Sequence, residues 1–254
     1  MEDRKRTVLA TVIIAVVLLA VLYSFSLNLF VPTPELVLAD PNATASVDPG
    51  NEDPDEKGGV AVEVSTQTVQ SLVASLVRYE SYSRSMTIEY FSNGALAGVV
   101  SAQTWVDHGW TRSSVTLSSG RVEHSIVGDG RLWLWYDQGD RVYTGPVEGM
   151  TADLIQRLPT YEDVLALDRD SITDAGYVER DGLPCVYVEA VLAELGYVER
   201  YWISETSGLL MAAETERNGE LIYSMASHEV ISPLDQAAGV FSLPDGAELH
   251  TPER

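Results

Sequence analysis

Chemistry in a chain of 254 residues starts from its bases, nucleophiles and metal ligands, and here these are scattered. The four histidines, His108, His124, His228 and His250, show no paired ligand spacing, and the single cysteine, Cys185, leaves them no cluster to join. A structural zinc site needs four such ligands brought together, so none is expected. No GxSxG elbow, HExxH pair, Walker loop or GxGxxG after a strand occurs. Glycoside hydrolysis needs only two placed acids, yet among 38 Asp and Glu residues the sequence singles out no pair. No catalytic residue, metal or cofactor is assigned, and a non-enzymatic role is expected.

The charged motif that does recur is GYVER, at 176–180 and again at 196–200. On a strand, Tyr177 and Glu179 share one face while Val178 and Arg180 share the other. Cross-strand Glu to Arg pairing contributes only about 0.2–1 kcal/mol, and no longer similarity surrounds the two copies. They read as a strand pattern written twice.

Aromatic placement points to binding instead. Leu132, Leu134 and Tyr136 fall on one face of a strand, and Trp133 and Trp135 on the other. An outer strand with one solvated face needs only one apolar side. Trp105, Trp110 and Trp202 add large rings on neighbouring strands, and Leu209, Met211 and Ala213 line one face of a later one. Such a set fits a concave apolar surface, where each buried methylene of an acyl chain is worth about 0.8 kcal/mol. The expected ligand contacts are Trp133, Trp135, Leu134, Met211, Trp105 and Trp202.

The elements that must carry these residues follow from periodicity. Val69, Leu72, Val73, Leu76 and Val77 recur at helical spacing and predict an amphipathic helix over 66–79. Thereafter the period is two, with turn dipeptides such as Asn93-Gly94, Asp129-Gly130, Asp181-Gly182 and Asn218-Gly219. These supply the positive φ angles of tight hairpins, so consecutive segments are expected to be antiparallel neighbours. Eleven strands are predicted, at 86–91, 96–107, 110–118, 121–127, 131–136, 141–144, 172–180, 184–192, 197–204, 209–217 and 220–230. One interruption, 151–168, carries N-cap candidates Thr151 and Thr160 and is split by Pro159 into two short helices.

Ahead of this domain the composition changes twice. Residues 1–6 hold Arg4, Lys5 and Arg6, and 7–31 are free of charge. At about 1.5 Å per residue the uncharged stretch is long enough to span a bilayer as a helix. A cleaved signal would have a shorter apolar region and a small-residue exit. The expectation is therefore a cytoplasmic tail (1–6), an uncleaved transmembrane anchor (7–31), an acidic flexible stalk (32–59) and an extracytoplasmic domain (60–254). From residue 41 onward the chain holds 13 basic and 34 acidic side chains. That balance excludes phosphate-backbone binding, so no nucleic-acid partner is expected. With one cysteine the domain has no internal disulfide, and Cys185 reads as a small buried apolar residue.

The stretch YVERYWISETSGLLMAAETERNGELIYSMASHEV, residues 197–230, with its Trp202-Ile203, Glu205 and Gly208-Leu209, resembles the LolA/LolB-like lipoprotein-sorting superfamily, which includes the N-terminal domain of RseB. FSLPDGAEL, 241–249, is similar to that family's ending. The resemblance implies an α+β, mainly antiparallel fold, an open half-barrel of about eleven strands with short helices in its concavity. It also implies that the hollow receives acyl chains or a lipopeptide, or that the domain regulates or scaffolds a membrane-protein partner as RseB-like proteins do. The anchor departs from the soluble carriers of the family and argues against shuttling.

Overall fold

The computed structural model describes residues 64–139, 141–234 and 239–252. The tail, anchor and stalk expected at 1–6, 7–31 and 32–59 lie outside the described residues, among which no helix is long and apolar enough to cross a membrane.

Helix α1 (Val69–Ser75) precedes strands β1 (Ser81–Ser92), β2 (Ala95–Asp107), β3 (Trp110–Thr116), β4 (Val122–Gly128), β5 (Arg131–Tyr136) and β6 (Tyr143–Pro146). Two short helices, α2 (Ala152–Ile155) and α3 (Tyr161–Leu165), and a 3-10 turn (Arg169–Ser171) then lead into β7 (Ile172–Arg180), β8 (Leu183–Leu192), β9 (Tyr197–Ser204), β10 (Leu210–Arg217) and β11 (Glu220–Ile231). A small hairpin, β12 (Phe241–Ser242) and β13 (Glu248–His250), closes the described chain.

The eleven long strands form one antiparallel sheet in the order β6-β5-β4-β3-β2-β1-β11-β10-β9-β8-β7. The sheet is open, with β6 and β7 as its edges. Turn chemistry sets the register: both central residues of Asn93-Gly94, Asp129-Gly130, Asp181-Gly182 and Asn218-Gly219 have positive φ, as two-residue hairpins demand. His108-Gly109 does the same at φ 46° and 88°. The chain walks from β1 at the centre out to β6. It must then cross one face to reach β7 at the opposite edge before walking back to pair β11 with β1. That crossing segment, 147–171, carries α2 and α3.

The eleven predicted strands are all present, with ends shifted by a few residues, and the two helices flanking Pro159 are where their caps put them. Helix α1 is shorter than the 66–79 expected. Leu76 leaves it at ψ 133°, and Val77, counted on the apolar stripe, is 84% exposed. The helix stops because Arg78 turns back and donates from Nη1 to the Leu76 carbonyl (2.9 Å) and from Nη2 to that of Val73 (2.6 Å), satisfying carbonyls at its end.

Alternation then sorts the sheet into two packed faces. Met86, Ile88, Val186, Val188, Ile203 and Met225 pack with Val69 and Val73 of α1, Leu158 and Val164 of the crossing segment. On the opposite face Ile126 and Trp135 pack with Leu234, Val240 and Phe241 of the C-terminal segment, joined by Trp105, Trp110 and Trp133.

Candidate functional site

On the helix side, β1 alternates Tyr82, Arg84, Met86 and Ile88 inward. Arg84 is a cation in an otherwise apolar series and is only 2% exposed. Its Nη2 donates to Asp153 Oδ2 of α2 at 3.1 Å and to the Pro159 carbonyl at 3.2 Å, while Nη1 donates to the Leu210 carbonyl at 3.3 Å. Ser113 Oγ donates to the other oxygen of Asp153 at 2.6 Å. The Ala152 amide donates to Thr111 Oγ1 at 2.7 Å, and Ser125 Oγ donates to the Ala152 carbonyl at 3.5 Å. Four side chains from β1, β3 and β4 thus fasten α2 and the chain after it to the sheet. Helix α3 is held from the other side, where Gln70 Nε2 of α1 donates to the carbonyls of Val164, Leu165 and Leu167.

Between the crossing segment and the sheet lies a cavity of about 160 Å³. Its walls include Tyr82, Val106, Leu209 and Leu210, and its polar lining includes Arg78, Arg84, Asp153, Thr160 and Glu162. The Arg78 guanidinium lies 3.4 Å from the Tyr161 ring centroid, a stacked cation–π arrangement. Burial pushes the Tyr82 hydroxyl well above the usual tyrosine range, so it stays a neutral donor. Burial likewise raises the Asp163 carboxyl, even though it accepts the Thr160 amide at 2.9 Å at the start of α3.

The six expected ligand contacts do not share one hollow. Leu134 pairs with Ser125 on the helix side. Trp133 pairs with Ile126 on the opposite face, where Trp105 and Trp135 also pack beneath the C-terminal segment. Trp202 occupies that same face farther along the sheet, under the Arg180 guanidinium at 3.8 Å and beside Tyr187 at 5.3 Å. Met211 sits at the bulge where β10 slips against β9. The two GYVER copies open β9 and close β7 without pairing to each other: Arg180 meets Glu214, and Arg200 meets Glu189 and Glu216.

The histidines find partners that spacing could not show. Ser114 Oγ lies 2.8 Å from His124 Nδ1, and His124 Nε2 lies 2.6 Å from Asp137 Oδ1, a Ser–His–Asp chain. Acyl transfer also needs donors for an oxyanion. Ser114 is inside the ladder, paired to Gln103 on one side and His124 on the other, so its strand has no spare amides to offer. Among the described residues no three His, Cys, Asp or Glu side chains are placed to hold a metal.

Asp107, fully buried, joins β2 to the C-terminal hairpin: Oδ2 lies 2.7 Å from His250 Nε2 and Oδ1 lies 3.3 Å from His108 Nδ1. Burial alone would raise this carboxyl, but hydrogen bonds from His250, Ser81 and His108 outweigh it and hold its pKa below the ordinary value. A depressed folded pKa gives stability that is present above the unfolded value, about 3.9 for Asp, and is lost as pH falls through the folded one. Tryptophan emission, dominated by rings under this segment, is expected to show an acid transition below about pH 4 that Asp107→Asn removes. A transition unchanged in the variant would place the acid-sensitive group elsewhere.

No protein-family model matches the chain, and no curated protein matches it. Among solved structures it is similar to MucB, at 16% identity with a TM-score of 0.43, covering 73% of this chain and 65% of MucB. In the structure of MucB in complex with MucA(peri), 57% of the MucB chain is covered, at 12% identity and a TM-score of 0.41. The chain therefore spans less than two thirds of the length of these two. It is also similar to the LolA superfamily protein NE2245 from Nitrosomonas europaea, at 10% identity and a TM-score of 0.29, over 72% of this chain and 96% of that one. The superfamily that residues 197–230 resemble is thus represented among these structures.

Proposed function

We propose that the chain is a membrane-anchored, non-catalytic binding protein whose domain, on the extracytoplasmic side, takes lipid acyl chains or a lipopeptide on the helix side of its sheet. The observation that carries this reading is the way the crossing segment is attached. Helices of four and five residues have no stability of their own. Leu158 and Val164 of the segment join the apolar cluster of Val186, Val188, Ile203, Leu210 and Met225, and only a few polar side chains hold the segment there, from β1, β3 and β4 at α2 and from Gln70 at α3.

The present cavity, about 160 Å³, is below the roughly 300–1,000 Å³ of ordinary ligand pockets. An acyl chain therefore displaces the crossing segment as it enters. The fourteen methylenes of a palmitoyl chain are worth about 11 kcal/mol gross on burial, enough to offset several hydrogen bonds at about 1 kcal/mol each. The small volume also favours a second reading, in which both faces stay packed and the domain presents its outer surface to a membrane-protein partner.

Titrating the full chain, held in amphipol, with a fluorescent C16 acyl probe separates the two. Leu134→Ala is expected to weaken saturable binding about five- to tenfold. Trp133→Ala, on the opposite face, leaves it within about twofold. A folded chain that shows no saturable binding sinks the acyl reading in favour of the partner-binding one.

A further inference from the structure

We infer that the cavity is the seat of the ligand's head group and that this head group is a carboxylate. The inference rests on the acyl-binding reading above and names the class of lipid. Among the described residues the buried Nε–H groups of Arg78 and Arg84 lack a hydrogen-bond partner, and both residues line this one cavity. Buried polar groups are almost always satisfied, and those left unmade in a native fold call for an explanation.

Both atoms can only donate, and both stand on α1's exit and β1, outside the crossing segment. The group that satisfies them is an acceptor, and an ionised carboxylate is acceptor-only with two oxygens to share. Arg84 is 2% exposed, so water does not reach it readily. The cavity has room for a head group and its first methylenes, with Tyr82, Val106, Leu209 and Leu210 as the apolar wall along which a chain continues.

Charge selects among acceptors. The chain has a formal net charge of −22, yet two guanidinium groups line this cavity. Arg84 is neutralised by Asp153. Arg78 makes its bonds to the carbonyls of Val73 and Leu76 and to the Tyr161 ring, and has no ion pair among the described residues. One cation without a carboxylate partner suits one negative charge. A phosphate monoester, with close to two, would meet Asp153 and Glu162 on the same lining.

The test compares palmitate, hexadecanol and hexadecyl phosphate on the full chain in amphipol, with the Arg78→Met variant in parallel. Palmitate is expected to bind about tenfold more tightly than hexadecanol, the worth of one hydrogen bond to a charged group. Arg78→Met, which removes the unpaired cation, is expected to bring palmitate to within about twofold of hexadecanol, and because both ligands are measured on the same variant the ratio is independent of any change in its stability. Palmitate and hexadecanol binding equally overturns the carboxylate seat and leaves the acyl reading standing. Hexadecyl phosphate binding best also overturns it, as does an unchanged preference for palmitate over hexadecanol in Arg78→Met. Binding of none of the three overturns the acyl reading and this inference with it.

Discussion

Asp153→Ala is expected to destabilise the domain by about 3–5 kcal/mol, because it strands a buried guanidinium. Arg84 and Asp153 side chains are 2% and 7% exposed, so water cannot replace the lost carboxylate. The same substitution leaves Ser113 Oγ without its acceptor at 2.6 Å. Removing both charges tells the two costs apart: Arg84→Met with Asp153→Leu should recover most of the loss, since an apolar pair of similar volume is tolerated where a lone charge is not. Chemical denaturation of the parent and the two variants measures this directly. A single variant within about 1 kcal/mol of the parent would mean that the crossing segment is held by packing and that the polar fastening is incidental.

Gly128→Ala is expected to cost about 3 kcal/mol, at the upper end of overpacking effects. A Cβ there would stand 2.1 Å from Cε3 of Trp110. The ring has nowhere to go: it stacks on His250 at 5.1 Å and 2°, lies against Trp133 at 6.0 Å, and meets Phe241 edge-on at 6.4 Å. Displacing it lifts the C-terminal hairpin, which is further tied down by Arg112 donating to the Val240 carbonyl. The substitution should therefore be strongly non-additive with Trp110→Ala, the double variant losing less than the sum of the singles. Additive losses would show that the hairpin is seated independently of the ring.

What the sequence makes legible is whatever lies within about a dozen residues. Period-two alternation and Asn-Gly or Asp-Gly turns placed all eleven long strands, and Thr151, Pro159 and Thr160 placed α2 and α3, because each signal is local. The amphipathic stripe over 66–79 overran because it counted Val77, whereas the end of α1 is decided by an arginine side chain folding back on the helix. The C-terminal hairpin was not anticipated. Strands of two and three residues have no period to read, and their role is to cover tryptophans more than a hundred residues earlier. That cover explains the apolar Trp133 and Trp135 face of this strand, while Leu134 lies on the helix side of the sheet.

The candidate site was less visible still. Aromatic and apolar bulk drew attention to Trp133, Trp135 and Trp202, while the cavity is built around Arg78, Arg84, Asp153 and Thr160. One signal was available. In the run SYSRSMTIEY, Arg84 falls in phase with Tyr82, Met86 and Ile88, and a charge on the buried face of a strand demands a partner. Which carboxylate answers it, 69 positions away in a four-residue helix, depends on how the chain crosses the sheet, and no local pattern records that.

Hydrogen exchange with and without bound palmitate tests most directly whether the crossing segment is a displaceable cover over a ligand site. The Ala152 amide, held by Thr111 Oγ1 at 2.7 Å, and the amides of α3 should lose protection when palmitate binds, while β8–β11 keep or gain it. Palmitate bound with the protection of 151–165 unchanged, or with the change confined to 239–250, would contradict the account.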